Sequence, residues 1–103
     1  MLEIRKDRDK YRFVIKSGAG HQLLESVDFA DEKELHTCLD QLRKRLRSPS
    51  CFERRTVHNG RFQFSLKDSN GRILGRSKLY RSEAGMENGI KNTRFGFFDS
   101  DLS

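Results

Sequence analysis

Laid over itself with a shift of 51 positions, the chain repeats its own pattern. Phe13 falls on Phe64, Lys16 on Lys67, Gly20 on Gly71, Leu23 on Leu74, Ser26 on Ser77, Glu32 on Glu83 and Arg43 on Arg94. Conservative pairs fill the intervals: Tyr11 with Phe62, Ile15 with Leu66, Phe29 with Tyr80, Leu35 with Met86 and Leu39 with Ile90. No gap is needed from Tyr11 to Arg43, and a one-residue slip ahead of that stretch aligns Glu3 with Glu53 and Arg5 with Arg55. An internal repeat constrains a fold more than any local signal, because it says how often one supersecondary unit occurs. At 103 residues there is room for one domain. It is read as residues 1–103 built of two repeats, 1–49 and 50–103, with the single proline, Pro49, at their boundary.

Each copy opens with a short strand, marked by Leu2 and Ile4 in the first and by Phe52 in the second. A polar turn follows. In the second copy it holds Asn59-Gly60, a strong hairpin signal because both residues tolerate positive φ. The next strand alternates with period two. Tyr11, Phe13 and Ile15 share one face, as do Phe62, Phe64 and Leu66, while Arg12 and Lys16, and Gln63, Ser65 and Lys67, take the other. A turn at Gly20, or at Asn70-Gly71, leads to a third strand near 21–27 and 72–78. Its phase is ambiguous, since Leu23 and Leu24 are adjacent, as are Ile73 and Leu74.

The period then becomes helical. Asp31 and Ser82 are suited to N-cap a helix, each with a glutamate behind it at the positive end of the dipole. Leu35, Cys38, Leu39, Leu42 and Leu46 form one face of the first helix; Met86, Gly89, Ile90 and Thr93 repeat that face in the second. Gly89 costs about 1 kcal/mol in a helix interior, so a close backbone contact with the sheet or the other helix is expected there. Cys38 in the equivalent place suggests a small-residue contact on the pseudo-dyad. Ser48-Pro49-Ser50 stops the first helix; the second fades near Arg94, and Phe95-Gly96-Phe97-Phe98 is expected to dock, a last strand being one form the pattern leaves open. A unit of about 50 residues is marginal alone. The expected fold is therefore α+β: one antiparallel sheet of six or more strands, both helices on one face, the other face open.

The second copy carries Phe64-Ser65-Leu66-Lys67-Asp68-Ser69-Asn70-Gly71-Arg72-Ile73-Leu74, then Ser77, Tyr80, Ser82 and Ala84, and Glu87-Asn88-Gly89-Ile90. This resembles the YegP-like family of small bacterial proteins over nearly the whole chain. The resemblance implies a repeat of three strands and a helix, and tandem members that resemble a homodimer of single-repeat members with terminal strands exchanged between the halves. It implies no activity, and the role of the family is uncharacterised. Copy one departs from the pattern at Ala19, Phe29 and Cys38.

Little else points to chemistry. His21, His36 and His58 have no metal spacing with a cysteine or with one another. Cys38 lies on the apolar stripe and is expected to be structural. Cys51 lies near Arg47, Arg54 and Arg55, whose charge could lower its pKa, but the expected reading is an inert thiol at a strand start. No carboxylate pair, phosphate loop or dinucleotide fingerprint occurs. No catalytic residue, cofactor or metal is assigned, and an enzyme is not expected. With no leader pattern and no apolar run of about 18 residues, and with two cysteines making no disulfide framework, a soluble cytoplasmic monomer with no membrane contact is expected.

Net charge is +6, from 21 Lys and Arg against 15 Asp and Glu. Two roles follow: an interaction or structural module with a protein partner, or weak binding of nucleic acid or another anion through a basic surface. The candidate contacts are Arg43, Lys44, Arg45 and Arg47 at the first helix end with Arg54 and Arg55 beyond it. The open sheet face adds Arg5, Arg12, Lys16 and Lys67. The strand aromatics fall on the core phase, which argues against a stacking platform for bases.

Overall fold

Asn59 and Gly60 take φ values of 65° and 67°, the left-handed conformation that an Asn-Gly turn supplies without strain. The hairpin they close joins β4 (Phe52–Val57) to β5 (Arg61–Lys67). Its counterpart joins β1 (Leu2–Asp7) to β2 (Lys10–Lys16) through Arg8 and Asp9, with Arg8 at φ 57°. The second loop is one residue longer, which is the slip seen in the sequence alignment. The computed structural model describes residues 1–48 and 51–99.

β3 (Gln22–Ser26) and β6 (Ile73–Ser77) complete a six-stranded antiparallel sheet in the order β1-β2-β3-β6-β5-β4. The middle pair holds the register Leu24↔Ser77, Glu25↔Arg76 and Ser26↔Gly75. The adjacent leucines of the third strand are explained by a bulge. Ile15 pairs with Leu24 but Lys16 with Gln22, so Leu23 is extra and both leucines turn inward. The same break lies between Leu66 and Lys67, where Leu74 is the extra residue. Among the described residues β1 and β4 pair within their own hairpins, without the exchange of terminal strands that the resemblance implies.

The helices α1 (Glu32–Arg45) and α2 (Glu83–Asp99) pack on one face over a single core. Phe13, Ile15, Phe64 and Leu66 of the sheet meet Leu35, Leu39, Leu42, Met86 and Ile90 there. Asp31 caps α1 by accepting from the Glu34 N–H at 2.7 Å, and Ser82 accepts from the Gly85 N–H at 3.0 Å. Two buried serines carry the sheet into the loops. Ser26 accepts from the Phe13 N–H and donates to the Val27 carbonyl; Ser77 does the same with Phe64 and Lys78. Buried and fully paired, these shared hydroxyls are structural.

Two expectations about α2 are corrected. It does not fade at Arg94 but runs on to Asp99, and no further strand forms among the described residues. Phe97 is buried and Phe98 packs on the core while Phe95 stays exposed, so the terminal segment docks as helix. Of the two contacts expected at Gly89, the one made is with the ring of Tyr80, which bridges Phe62 of the sheet, and the other helix takes no part. The helix-stopping role read for Pro49 and Ser50 lies outside the described residues.

Candidate nucleic-acid interface

Alternation along each strand assigns the side chains of the face that the helices leave uncovered. The pairs Leu2↔Ile15 and Phe52↔Leu66 face the core, so the intervening residues face out. Outward positions hold eight cations, Arg5, Lys10, Arg12, Lys16, Arg55, Arg61, Lys67 and Arg76. They hold four carboxylates, Glu3, Asp7, Glu25 and Glu53, and no aromatic residue. The chain's excess positive charge is thus concentrated here.

Part of that charge is internally neutralised. Glu3 receives Arg5 at 3.1 Å and Lys16 at 2.9 Å, and hydrogen bonds from Lys16 first, then Arg5, hold its carboxyl below the usual range. Lys67 does the same for Glu53. Arg12 reaches Glu25 at 3.2 Å and Asp28 at 2.8 Å. Arg55, Arg61 and Arg76 make no ion pair with any of the described residues. The face is a net cation, and its guanidinium groups outside any ion pair lie on β4, β5 and β6, with Arg55 adding its field to Glu53.

The junction residues singled out in the sequence are dispersed. Arg54 and Arg55 are consecutive on β4 and point to opposite faces. Arg54 meets Glu87 of α2 through its Nε and Nη2, one side of its guanidinium, on the two carboxylate oxygens, and Arg55 joins the uncovered face. Arg43 pairs with Asp40 at 2.9 Å. Arg45 is half-buried, and its Nη1 is buried without a hydrogen-bond partner. Lys44 and Arg47 are exposed on the helix side. The cations are sequence neighbours but not one surface. Sequence spacing does not reveal Arg61 and Arg76: the bulge at Leu74 obscures the phase of β6, and Arg61 opens its strand at a hairpin end.

A second feature is a cleft of about 390 Å³ between α1 and the β5–β6 turn. Asp31, Thr37, Cys38, Gln41, Asp68 and Arg72 are among its lining residues. Burial pushes the Cys38 thiol up to about 11, so it is protonated at neutral pH, and no histidine lines the cleft. Cys51 is also raised, as suits an inert thiol at a strand start, and the neighbouring arginines do not lower it. Its burial outweighs the opposing field of Arg45, and its thiol rests against the Ser48 carbonyl at 3.4 Å. Among the described residues no group of three or more His, Cys, Asp or Glu could hold a metal, and no helix is long and apolar enough to cross a membrane.

A family model described as a domain of unknown function (DUF1508) matches residues 58–94, within the half that carries both Asn-Gly hairpins. The UPF0339 protein YegP of Escherichia coli K12 is 30% identical over 94 residues, 90% of this chain and 86% of that one. A UPF0339 protein of Pseudomonas aeruginosa is 28% identical over 103 residues, covering 99% and 94%. The solution NMR structure of YegP from E. coli, described as a protein of unknown function, superposes with a TM-score of 0.84 at 29% identity, over 93% of this chain and 84% of that one. The NMR structure of a UPF0339 protein from Shewanella oneidensis gives 0.85 at 25% identity, over 93% and 82%. With this fold, and with that identity across nearly its full length, the chain belongs to the UPF0339 family of YegP-like proteins.

Proposed function

We propose that the chain is a non-enzymatic, cytoplasmic interaction module that takes a nucleic-acid strand onto its uncovered sheet face, held through the phosphates. The carrying observation is the concentration of cations on that face with no aromatic among them. Such a surface attracts a phosphate backbone without reading bases, so its binding is sequence-tolerant and salt-sensitive. A cleft whose thiol is held protonated, with no histidine beside it, supports a binding role over a catalytic one.

The same reading treats the sheet as two copies of one unit related by a pseudo-two-fold at the Glu25↔Arg76 pair. Those two residues are 51 positions apart, and Leu24↔Ser77 and Ser26↔Gly75 flank them symmetrically. The bridges Tyr11↔Phe29 and Phe62↔Tyr80 fit the same relation. Because the seam is internal, the chain needs no second copy to complete its sheet and acts as a monomer.

Fluorescence anisotropy with a labelled random-sequence single-stranded RNA tests the proposal. Binding at about 50 mM salt should weaken linearly in log–log form towards about 200 mM, as counterion release requires. Absence of binding at the lower salt overturns it.

A further inference from the structure

The two halves of the uncovered face are not equivalent. In the first, Arg12 is closed off by Glu25 at 3.2 Å and Asp28 at 2.8 Å beside Val14, which is 0% exposed. Fifty-one positions on, these four residues become Gln63, Arg76, Leu79 and Ser65. Both carboxylates are gone, a guanidinium stands in the place of one of them, and a hydroxyl replaces the apolar floor.

Ser65 is also 0% exposed, and its hydroxyl has no hydrogen-bond partner. An unpaired buried hydroxyl is destabilising, and the valine at the matching place has nothing to satisfy. Ser65 faces away from the helices, so only its neighbours on the face can cover it. By register those are Arg76 on β6 and Glu53 on β4, whose side chains begin about 5 Å away. Glu53 is held by Lys67, and Glu25, opposite Arg76, is held by Arg12. Arg76 makes no ion pair with the described residues and Arg55 acts on Glu53 only through its field, so both can turn towards an anion.

We infer that Ser65, Arg76 and Arg55 form a subsite for one phosphate group of a nucleic-acid strand. The Ser65 hydroxyl donates to one phosphate oxygen and the guanidinium groups donate to the others, the planar fork suiting two oxygens at once. The inference rests on the uncovered face being the binding surface, and it narrows that surface to its second half. It also accounts for the unpaired hydroxyl, which finds its partner in the ligand.

The test is a titration with inorganic phosphate at constant ionic strength, read by amide and arginine side-chain NMR shifts, on wild type, Ser65→Val, Arg76→Glu and Lys33→Gln. Val14 and Glu25 show that the matching positions accept those residues within the same sheet. Saturable shifts are expected at Ser65 and Arg76. Affinity should fall about tenfold in Ser65→Val, the factor for one hydrogen bond to a charged group, and by more than about tenfold in Arg76→Glu, which also places a carboxylate beside the anion. It should be unchanged in Lys33→Gln, which removes one charge from α1. Shifts spread evenly over all cations, or equal affinities in all four proteins, overturn the subsite. The same proteins titrated with single-stranded RNA separate the two proposals. Salt-dependent RNA binding unaffected by Ser65→Val and Arg76→Glu overturns the subsite and keeps the face. Localised phosphate binding without RNA binding overturns the nucleic-acid face and, with it, the strand as this subsite's ligand.

Discussion

The phenol of Tyr80 occupies the space in which a side chain on Gly89 would begin: a Cβ there would overlap Oη and lie 3.1 Å from Cε1. Fifty-one positions earlier the pair is Phe29 and Cys38, so the hydroxyl is absent where the helix carries a side chain. The Tyr80 hydroxyl is buried without a partner, so it contributes bulk and no hydrogen bond. Gly89→Ala should gain about 1 kcal/mol of helix propensity yet lose more to overpacking, a net loss of about 1–2 kcal/mol. Tyr80→Phe should be neutral or stabilising, and the double variant at least as stable as wild type. Urea denaturation of the four proteins measures the coupling, expected above about 1 kcal/mol. Additive effects would show that the contact is not limiting.

Gly96 anchors the end of α2 against the first hairpin. A Cβ there would lie 2.8 Å from the Lys16 carbonyl oxygen and 3.1 Å from the Met1 nitrogen, both backbone atoms that cannot rotate away. Gly96→Ala should therefore cost about 1–3 kcal/mol, with hydrogen exchange accelerated in the last turn of α2. Unchanged exchange there would contradict the packing.

Arg94 joins the two halves on the helix side. Its Nε donates to the Leu46 carbonyl at 2.7 Å and its Nη2 to the Arg47 carbonyl at 2.8 Å, satisfying the end of α1 with a cation where the dipole favours one. Arg94→Met should cost about 1–2 kcal/mol. Arg94→Lys should recover only part of that, since one ammonium does not reproduce the fork. Full recovery with lysine would reduce the contact to charge alone.

The Cys38 thiol gives a pH dependence with a definite sign. Its folded pKa is raised by burial to about 11, so between its ordinary value and that figure the folded state holds a proton the unfolded state releases. Stability should be complete below the ordinary thiol range and fall as pH rises towards 11. Comparing stability against pH for wild type and Cys38→Ala isolates this thiol from the lysines and tyrosines that titrate nearby. A variant that loses stability just as steeply would contradict it. Alkylation of Cys38 at neutral pH should be slow.

Much of this architecture is legible in the sequence because period-two and helical patterns recur together. Phe13 and Phe64 fall inside the core, Asp31 and Ser82 act as caps, and Asn59-Gly60 makes the hairpin. Four things are hidden. The bulges at Leu23 and Leu74 break the alternation by one residue, which conceals the side of the sheet on which Arg76 lies. Proximity along the chain groups Arg54 with Arg55, although alternation on β4 sends them to opposite faces. The Phe95-Gly96-Phe97-Phe98 run resembles a strand, but Gly96 lets a helix approach the β1–β2 hairpin closely enough to bury Phe97. Ser65 reads as an ordinary outward strand residue; its missing partner is visible only in three dimensions.

The salt dependence of RNA binding in two charge-neutralised proteins tests the central claim most directly. One carries Arg55→Gln, Arg61→Gln and Arg76→Gln on the uncovered face; the other carries Arg43→Gln, Lys44→Gln and Arg47→Gln at the end of α1. Both lose the same net charge. The account predicts that the first loses most of its affinity, with a log–log salt slope shallower by about 0.7 for each phosphate contact removed, while the second stays close to wild type. Loss of binding in the second protein with retention in the first would contradict it, and would return the interface to the junction between the halves.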